Sequence, residues 1–440
     1  MKPLLRSMIL AGVLLAGATL GTARADTQRN LEPGEVLDAR NWQKAQGLLP
    51  PEILEHYKKG EYANPVMAWP EGLQQWGQDF RRGTEENRGR FTVNDHGTII
   101  DKASAHQPPY IIGLPFPAID PADGGAAIKI LWNYYYQYWY NGNSHNVSVL
   151  EWLSPKGLDR RAVEDTRFLY YDGQPRALAP HPNPQNLQQQ FLAVAVKPAD
   201  LQGTASLVWR FRSPRRDLVW AYVPALRRVR QVSPTNRSDG FLGSDMSQDD
   251  GPFFDGKPED FTWKLAGQTE MLRFVDPYSL RRAVTFQPLP GGGWRALRKH
   301  VPHAGYQVSQ WKGLAWAPVS LALAKRKMWI IEGTPKDKYY LYGRIQLLID
   351  KETFDGAWNR KFGWKGELLN VYFNSRTLNS SPDGKIYFST NPAAVVIAEN
   401  LPKRRATLAG QPTSDDVPFD YRVQLSPSLF DYQNLLRFGK

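Results

Sequence analysis

Carboxylates gather in one short stretch of the chain. Within "RRVRQVSPTNRSDGFLGSDMSQDD", Arg227 to Asp250, three arginines (Arg227, Arg228 and Arg230) precede Asp245, Asp249 and Asp250, and Asp255 follows shortly after. Two acids a few ångströms apart are sufficient for glycoside hydrolysis and impose no fixed sequence spacing, so these four aspartates are the candidates for acid and base chemistry. Against that role, Gly243, Gly251, Pro252 and Gly256 surround them, which is the composition of a solvated loop. A calcium loop is also conceivable, but "DMSQDDGPFFDG" lacks the alternating ligands and terminal Glu of an EF-hand.

Other reaction chemistries find little support. The histidines are His56, His96, His106, His145, His181, His300 and His303, and only the last two are close, as "HVPH". Pro302 between them argues against the helical face a zinc protease presents, and there is no HExxH. Nucleophile-elbow, P-loop and dinucleotide-binding glycine motifs are missing. With 0 cysteines, a thiol nucleophile and disulfides are both excluded. The sequence points to no catalytic residue, no metal and no cofactor.

The elements around these residues read mainly as strands. In "TASLVWRFR", Ala205, Leu207, Trp209 and Phe211 alternate with polar groups, and "LVWAYVP", with Trp220 and Tyr222, returns as a second strand that Pro224 ends. Ile345, Leu347 and Ile349 alternate within "RIQLLID", "GWKGELLNVYF" places a Lys-Gly turn before another strand, and Gly291 to Gly293 read as a hairpin turn. Strand-turn-strand spacing favours a large antiparallel sheet over a doubly wound α/β fold. "LWNYYYQYWY" is ambiguous: Trp132, Tyr134, Tyr136, Tyr138 and Tyr140 share a strand face, while Tyr135 and Trp139 fit a helical spacing. It is either a core-covering element or an aromatic wall to an apolar or sugar-binding cavity.

Residues 1–25 read as a Sec-type signal peptide: Lys2 and Arg6, a short apolar run from Met8 to Leu20, and Ala23-Arg24-Ala25 as cleavage site. That places the protein in the periplasm, soluble after cleavage. Residues 26–124 are rich in Pro, Gly and Asn and read as an irregular, partly helical region, with "PPEILEHYKKGEY" as one helix and "QPPYIIGLPFPAIDPADGG" as an extended strap. Residues 125–440 form the main β domain. The 440 residues carry a formal charge of +12. An exported basic protein has phospholipid headgroups, lipopolysaccharide or acidic envelope proteins as partners, rather than nucleic acid.

The combination of "VWAYVPALRRVRQVSPTNRSDGFLGSDMSQDD" with "WIIEGTPKDKYYLYGRIQLLIDKETFDGAWNRKFGWKGELL" resembles the proteobacterial envelope proteins of the domain of unknown function family 1329. These look like outsized relatives of outer-membrane lipoprotein-sorting carriers of the LolA/LolB type. The matching positions are Tyr222 and Pro224, Arg227 to Arg230, Gly243 to Asp245, and Ile349 to Thr353. The resemblance implies a mainly β (α+β) fold, a curved antiparallel sheet or half-barrel closed by helices over an apolar cavity for lipid chains. It also implies a context beside an inner-membrane exporter or outer-membrane partner, and it carries over no enzymatic residue. On this reading Trp132, Tyr134, Tyr138, Trp209, Trp220 and Tyr222 line the cavity. Arg227, Arg228, Arg230 and Asp245 then meet a partner or lipid headgroup. The function expected is a non-enzymatic carrier or adaptor for a lipid, lipoprotein or other amphipathic molecule; an exported glycan-binding or glycan-cleaving protein is the alternative.

Overall fold

The computed structural model describes residues 30–212, 215–296, 302–410 and 419–439, with side chains 376 and 388–394 left aside. The signal-peptide reading and His300 lie outside the described residues. Alternating sequences become long strands: β1 (Ser144–Ser154), β2 (Gly157–Tyr170), β3 (Leu187–Lys197), β4 (Ala205–Phe211), β5 (Leu218–Val223), β6 (Arg228–Val232), β7 (Phe261–Val275), β8 (Ala322–Pro335), β9 (Arg344–Asp350), β10 (Gly356–Phe362), β11 (Leu368–Ser380), β12 (Tyr387–Asn400) and β13 (Arg405–Gly410). With three short strands they form one 16-stranded sheet, antiparallel throughout its ladders. The hairpin expected at β4–β5 and the turn expected before β11 are present.

The strand order is 6-5-4-3-2-1-13-12-11-10-9-8-7. The chain therefore enters the middle of the sheet, runs outward to one edge at β6, and resumes at the opposite edge with β7. From there it returns inward until β13 pairs with β1. The two edges do not pair, so the sheet is an open half-barrel. Register breaks at Trp152/Leu153, Val163/Glu164, Leu265/Gly267, Leu348/Ile349 and Lys361/Phe362 are the bulges that bend such a sheet.

Helix α3 (Ala126–Trp139) lies on the inner face, together with the 28-position link from Ser233 to Asp260 that joins the two edges. "LWNYYYQYWY" is thus helical. Its aromatic residues fit both periods because the helix is buried all round, with Ile130 to Trp139 inaccessible on every side. Its rings pack on one another, as with Tyr134 and Tyr138 (6.3 Å) and Tyr136 and Trp139 (5.0 Å).

The N-terminal region covers both faces. Helix α1 (Pro51–Lys58), begun by Pro51 and ended before Gly60 at φ 72°, buries Ile53, Leu54 and Tyr57 against Phe274, Trp358 and Phe373 on the outer face. His56 adds ionic clamps to Glu61 (2.7 Å) and to Glu399 of β12 (2.9 Å). Helix α2 (Gln78–Glu86) and the proline-rich stretch cross to the inner side, where Phe80, Ile111, Leu114 and Phe116 join the core around α3. Among the described residues no helix is long and apolar enough to cross a membrane.

Candidate functional site

The link between the sheet's edges is the sequence stretch that gathers the aspartates. A connection from β6 to β7 must cross the open mouth of the half-barrel, so its residues lie against the inner face rather than in solvent. This corrects the solvated-loop reading: Asp249 and Asp250 are 4% and 1% exposed, and Asp245 and Asp255 are buried with them. Gly240 permits the tightest point, since a Cβ there would stand 2.1 Å from the Ser244 carbonyl oxygen. Glycine at 356 has the same reason, because a Cβ would lie 2.1 Å from the Phe253 ring.

Burying these acids requires partners. Arg237 Nε donates to Asp249 Oδ1 (2.7 Å), Nη1 to Asp217 Oδ2 (2.9 Å) and Nη2 to Asp255 Oδ2 (2.9 Å). Arg210, on the inner face of β4, donates to Asp217 Oδ2 (3.1 Å) and Asp255 Oδ1 (3.0 Å). Burial pushes the Asp217 carboxyl up, but Arg210, Lys257 and Arg237 outweigh it and hold the group below its ordinary value. At Asp249 burial prevails over Arg237, and the group is raised. The Tyr340 hydroxyl donates to Asp249 Oδ2 (2.8 Å), so both carboxylate oxygens are occupied. Further along, Lys361 of β10 pairs with Asp250, while Arg405 Nε and Asn400 Nδ2 each donate to Asp245 Oδ1 (2.9 Å). Carboxylates held in this way fasten the link to the inner face of the sheet.

Beside these fasteners, between the link and the inner face of β1 to β3 and β11 to β13, is an apolar pocket of about 140 Å³. Phe168, Phe191, Leu150, Val396, Ala409 and Tyr372 form its sheet side, and Phe241, Met246, Gln248 and Pro252 its roof. The sheet side also carries Asn146, Thr166, Ser148 and Glu164, set there by the pairings Asn146↔Thr166 and Ser148↔Glu164. Burial pushes the Glu164 carboxyl up to about 8. Among the described residues no group of three or more metal-ligating side chains comes together.

The residues expected to line a cavity are distributed differently. Trp132, Tyr134 and Tyr138 sit inside α3's own aromatic stack, where the Trp132 indole donates to the Gly97 carbonyl (2.9 Å) and the Tyr138 and Tyr170 hydroxyls meet at 3.2 Å. Alternation turns Trp209, Trp220 and Tyr222 to the outer face, because Val208, Arg210 and Ala221 occupy the inner one. There the C-terminal segment covers them: the Trp209 indole donates to the Phe430 carbonyl (2.8 Å) and Trp220 stacks on Tyr432 (5.5 Å). Arg227, in the left-handed region at φ 47°, and Arg228 and Arg230 of edge strand β6 are exposed. Asp245 is held internally, away from any surface partner. The sequence reading passed over Glu164, Asn146, Arg210 and Lys361. One signal was available for Glu164: in "RRAVEDTRFLY" it shares a period-two face with Ala162, Thr166, Phe168 and Tyr170.

The geometry defines an open antiparallel half-barrel whose concavity is filled by one helix and by an ion-paired strap that roofs a small apolar pocket. The chain belongs to the family described as "Protein of unknown function (DUF1329)", whose profile matches residues 36–435. Among solved structures it is similar to a putative outer membrane lipoprotein-sorting protein domain from Vibrio parahaemolyticus (15% identity, 72% of this chain and 100% of that chain, TM-score 0.47). It is also similar to a DUF1329 family protein from Desulfovibrio piger (18%, 67% and 91%, TM-score 0.42) and to a LolA superfamily protein from Nitrosomonas europaea (11%, 69% and 97%, TM-score 0.40). No curated protein matches the chain.

Proposed function

We propose that this protein is a periplasmic, non-enzymatic carrier that holds part of an amphipathic molecule between its strap and the inner face of its sheet. The observation that supports this is the apolar pocket roofed by residues 241–252. At about 140 Å³ it is close to the ~150 Å³ engineered cavity that accepts benzene and below the ~300–1,000 Å³ of drug-sized sites. A lipid chain therefore enters only as the strap lifts.

Burial of apolar cargo supplies the affinity. Each methylene contributes about 0.8 kcal/mol, so about ten supply on the order of 8 kcal/mol, whereas an exposed ion pair gives about 0–1 kcal/mol. Charge serves encounter: the basic surface, with Arg227, Arg228 and Arg230 exposed on the edge strand, steers the protein to anionic membrane or to an envelope partner. The test is native mass spectrometry of protein purified from periplasm without detergent, paired with displacement of a bound hydrophobic dye. Co-purified lipid and displaceable dye are expected. A chain that carries no lipid and takes up no dye, yet binds or hydrolyses an oligosaccharide, overturns the reading.

A further inference from the structure

The pocket's floor holds polar atoms that the fold leaves without partners. Glu164 Oε1 and both side-chain atoms of Asn146, Oδ1 and Nδ2, are buried and make no hydrogen bond. Leaving such groups unpaired is unfavourable, and native interiors pair the great majority of them. All three atoms belong to side chains facing the apolar pocket, on neighbouring strands. Asn146 lies opposite Thr166, two positions along from the Ser148↔Glu164 pair, so the two side chains are diagonal neighbours on one face. Diagonal Cβ atoms on such a face stand about 7–8 Å apart, and longer side chains converge across that gap.

We propose that the pocket takes a ligand with a ring-sized apolar body and a protonated amine, whose N–H groups are received by Glu164 and by the Asn146 carbonyl oxygen. An ammonium carries three donors and no acceptor, which matches a carboxylate oxygen and an amide oxygen presented together. Asp250 is the other acid facing this space, and Lys361 already neutralises it. Glu164 is thus the group left to balance an incoming cation. Burial keeps the empty site's carboxyl protonated at neutral pH. As the ammonium binds, Glu164 gives its proton to solvent, the ligand keeps its own, and an ion pair forms inside the pocket.

This rests on the carrier reading only in taking the pocket as the ligand site. The probes are benzylamine and benzyl alcohol, which share a ring that the 140 Å³ space accepts and differ in the head group. Calorimetry at pH 7 in buffers of different ionisation enthalpy is expected to show benzylamine binding about 10- to 100-fold tighter than benzyl alcohol, with close to one proton released per site. In Glu164→Gln the amine preference and the proton release disappear while benzyl alcohol binds unchanged. Proton release by the natural protein reports on the same group should the variant fail to fold. Equal affinities for the two probes, or binding without proton release, overturns the amine assignment. Uptake of hydrophobic dye with neither probe bound overturns it too and leaves the carrier reading standing; refusal of dye as well removes both.

Discussion

The pair between Lys361 and Asp250 is the sharpest place to test whether charge fastens the strap. Each side chain is 2% exposed, Lys361 Nζ also donates to Asn370 Oδ1 (3.2 Å), and Asp250 Oδ2 accepts from the Ser247 backbone N–H (2.7 Å). Burial pulls the lysine's pKa down against the upward pull of Asp250, so each charge depends on the other. Lys361→Met keeps the stem and leaves a carboxylate buried alone, which costs about 3–5 kcal/mol. Asp250→Asn strands the ammonium at a similar cost, while the amide oxygen still accepts from Ser247. The double variant buries no charge and is expected to lose only about 1–2 kcal/mol, giving a coupling of several kcal/mol. Hydrogen exchange followed by mass spectrometry on peptides from 244–256 reads this locally. At about 1.4 kcal/mol per tenfold, each single variant should speed exchange there by about two to three and a half powers of ten, and the double by about one. Single variants that exchange no faster than the double would refute the argument that this pair holds the strap down.

Other consequences can be measured directly. Glu164 is raised from 4.5 to about 8, so the folded chain keeps a proton the unfolded chain releases; that stabilisation is complete below pH 4.5 and is lost as pH rises through about 8. Urea unfolding of Glu164→Gln should therefore fall less steeply over pH 5–8 than that of the natural protein, and parallel curves would remove Glu164 as a cause. At His56 burial lowers the pKa, but Glu399 and Glu61 outweigh it and raise the group above 6.5. Its clamp is complete below pH 6.5 and is lost as pH rises through the raised value, so the protection of amides in 51–62, relative to their unstructured exchange rates, should fall across that window in the natural protein and stay flat in His56→Gln. Gly356→Ala drives a methyl into the Phe253 ring and should lower stability by about 1–3 kcal/mol, whereas an unchanged melting temperature would show that the ring moves freely.

What was legible in the sequence was local. Alternation placed β4 and β9, an apolar run ended by Pro224 placed β5, and proline and glycine placed α1 and the hairpin turns, because those signals act over a few residues. Sidedness was not legible: the alternation around Trp209 separates two faces without saying which is inner, and here both faces are covered, one by α3 and the strap and the other by the N- and C-terminal segments. The aspartates misled for a topological reason. Gly, Pro and Asp suit a solvated loop and an irregular buried crossing equally. Only the pairing of β13 with β1 puts β6 and β7 at opposite edges and forces their link across the mouth. The partners that make this burial tolerable, Arg210 and Lys361, lie 45 and 111 positions from Asp255 and Asp250, beyond any motif.

The strap is fastened by two different means along its length, and that sets which end can move. From Arg237 to Pro252 it is held by ion pairs and amide hydrogen bonds, and residues 241–252 of this part roof the pocket. From Phe253 onward apolar packing is added to the ion pairs that Asp255 makes with Arg210 and Arg237, with Phe253 and Phe254 at 0% and 1% exposure and Phe254 edge-on to Phe261 and Trp263. Water repays separated charges with hydration and repays an exposed ring with nothing, so lifting the first part is compatible with solvent while lifting the second exposes about 150–250 Å² per ring. Two rings at about 25 cal/mol per Å² add roughly 8–12 kcal/mol to any opening that includes them. We therefore expect residues 241–252 to open as a flap hinged at Phe253, with 253–260 remaining on the sheet. In the natural protein, amides of 241–252 should exchange measurably faster than those of 253–260, and the difference should widen at high salt, which screens the charges as they separate. Equal protection in the two halves would mean that the strap moves as one piece or not at all, and the pocket would then need another entrance.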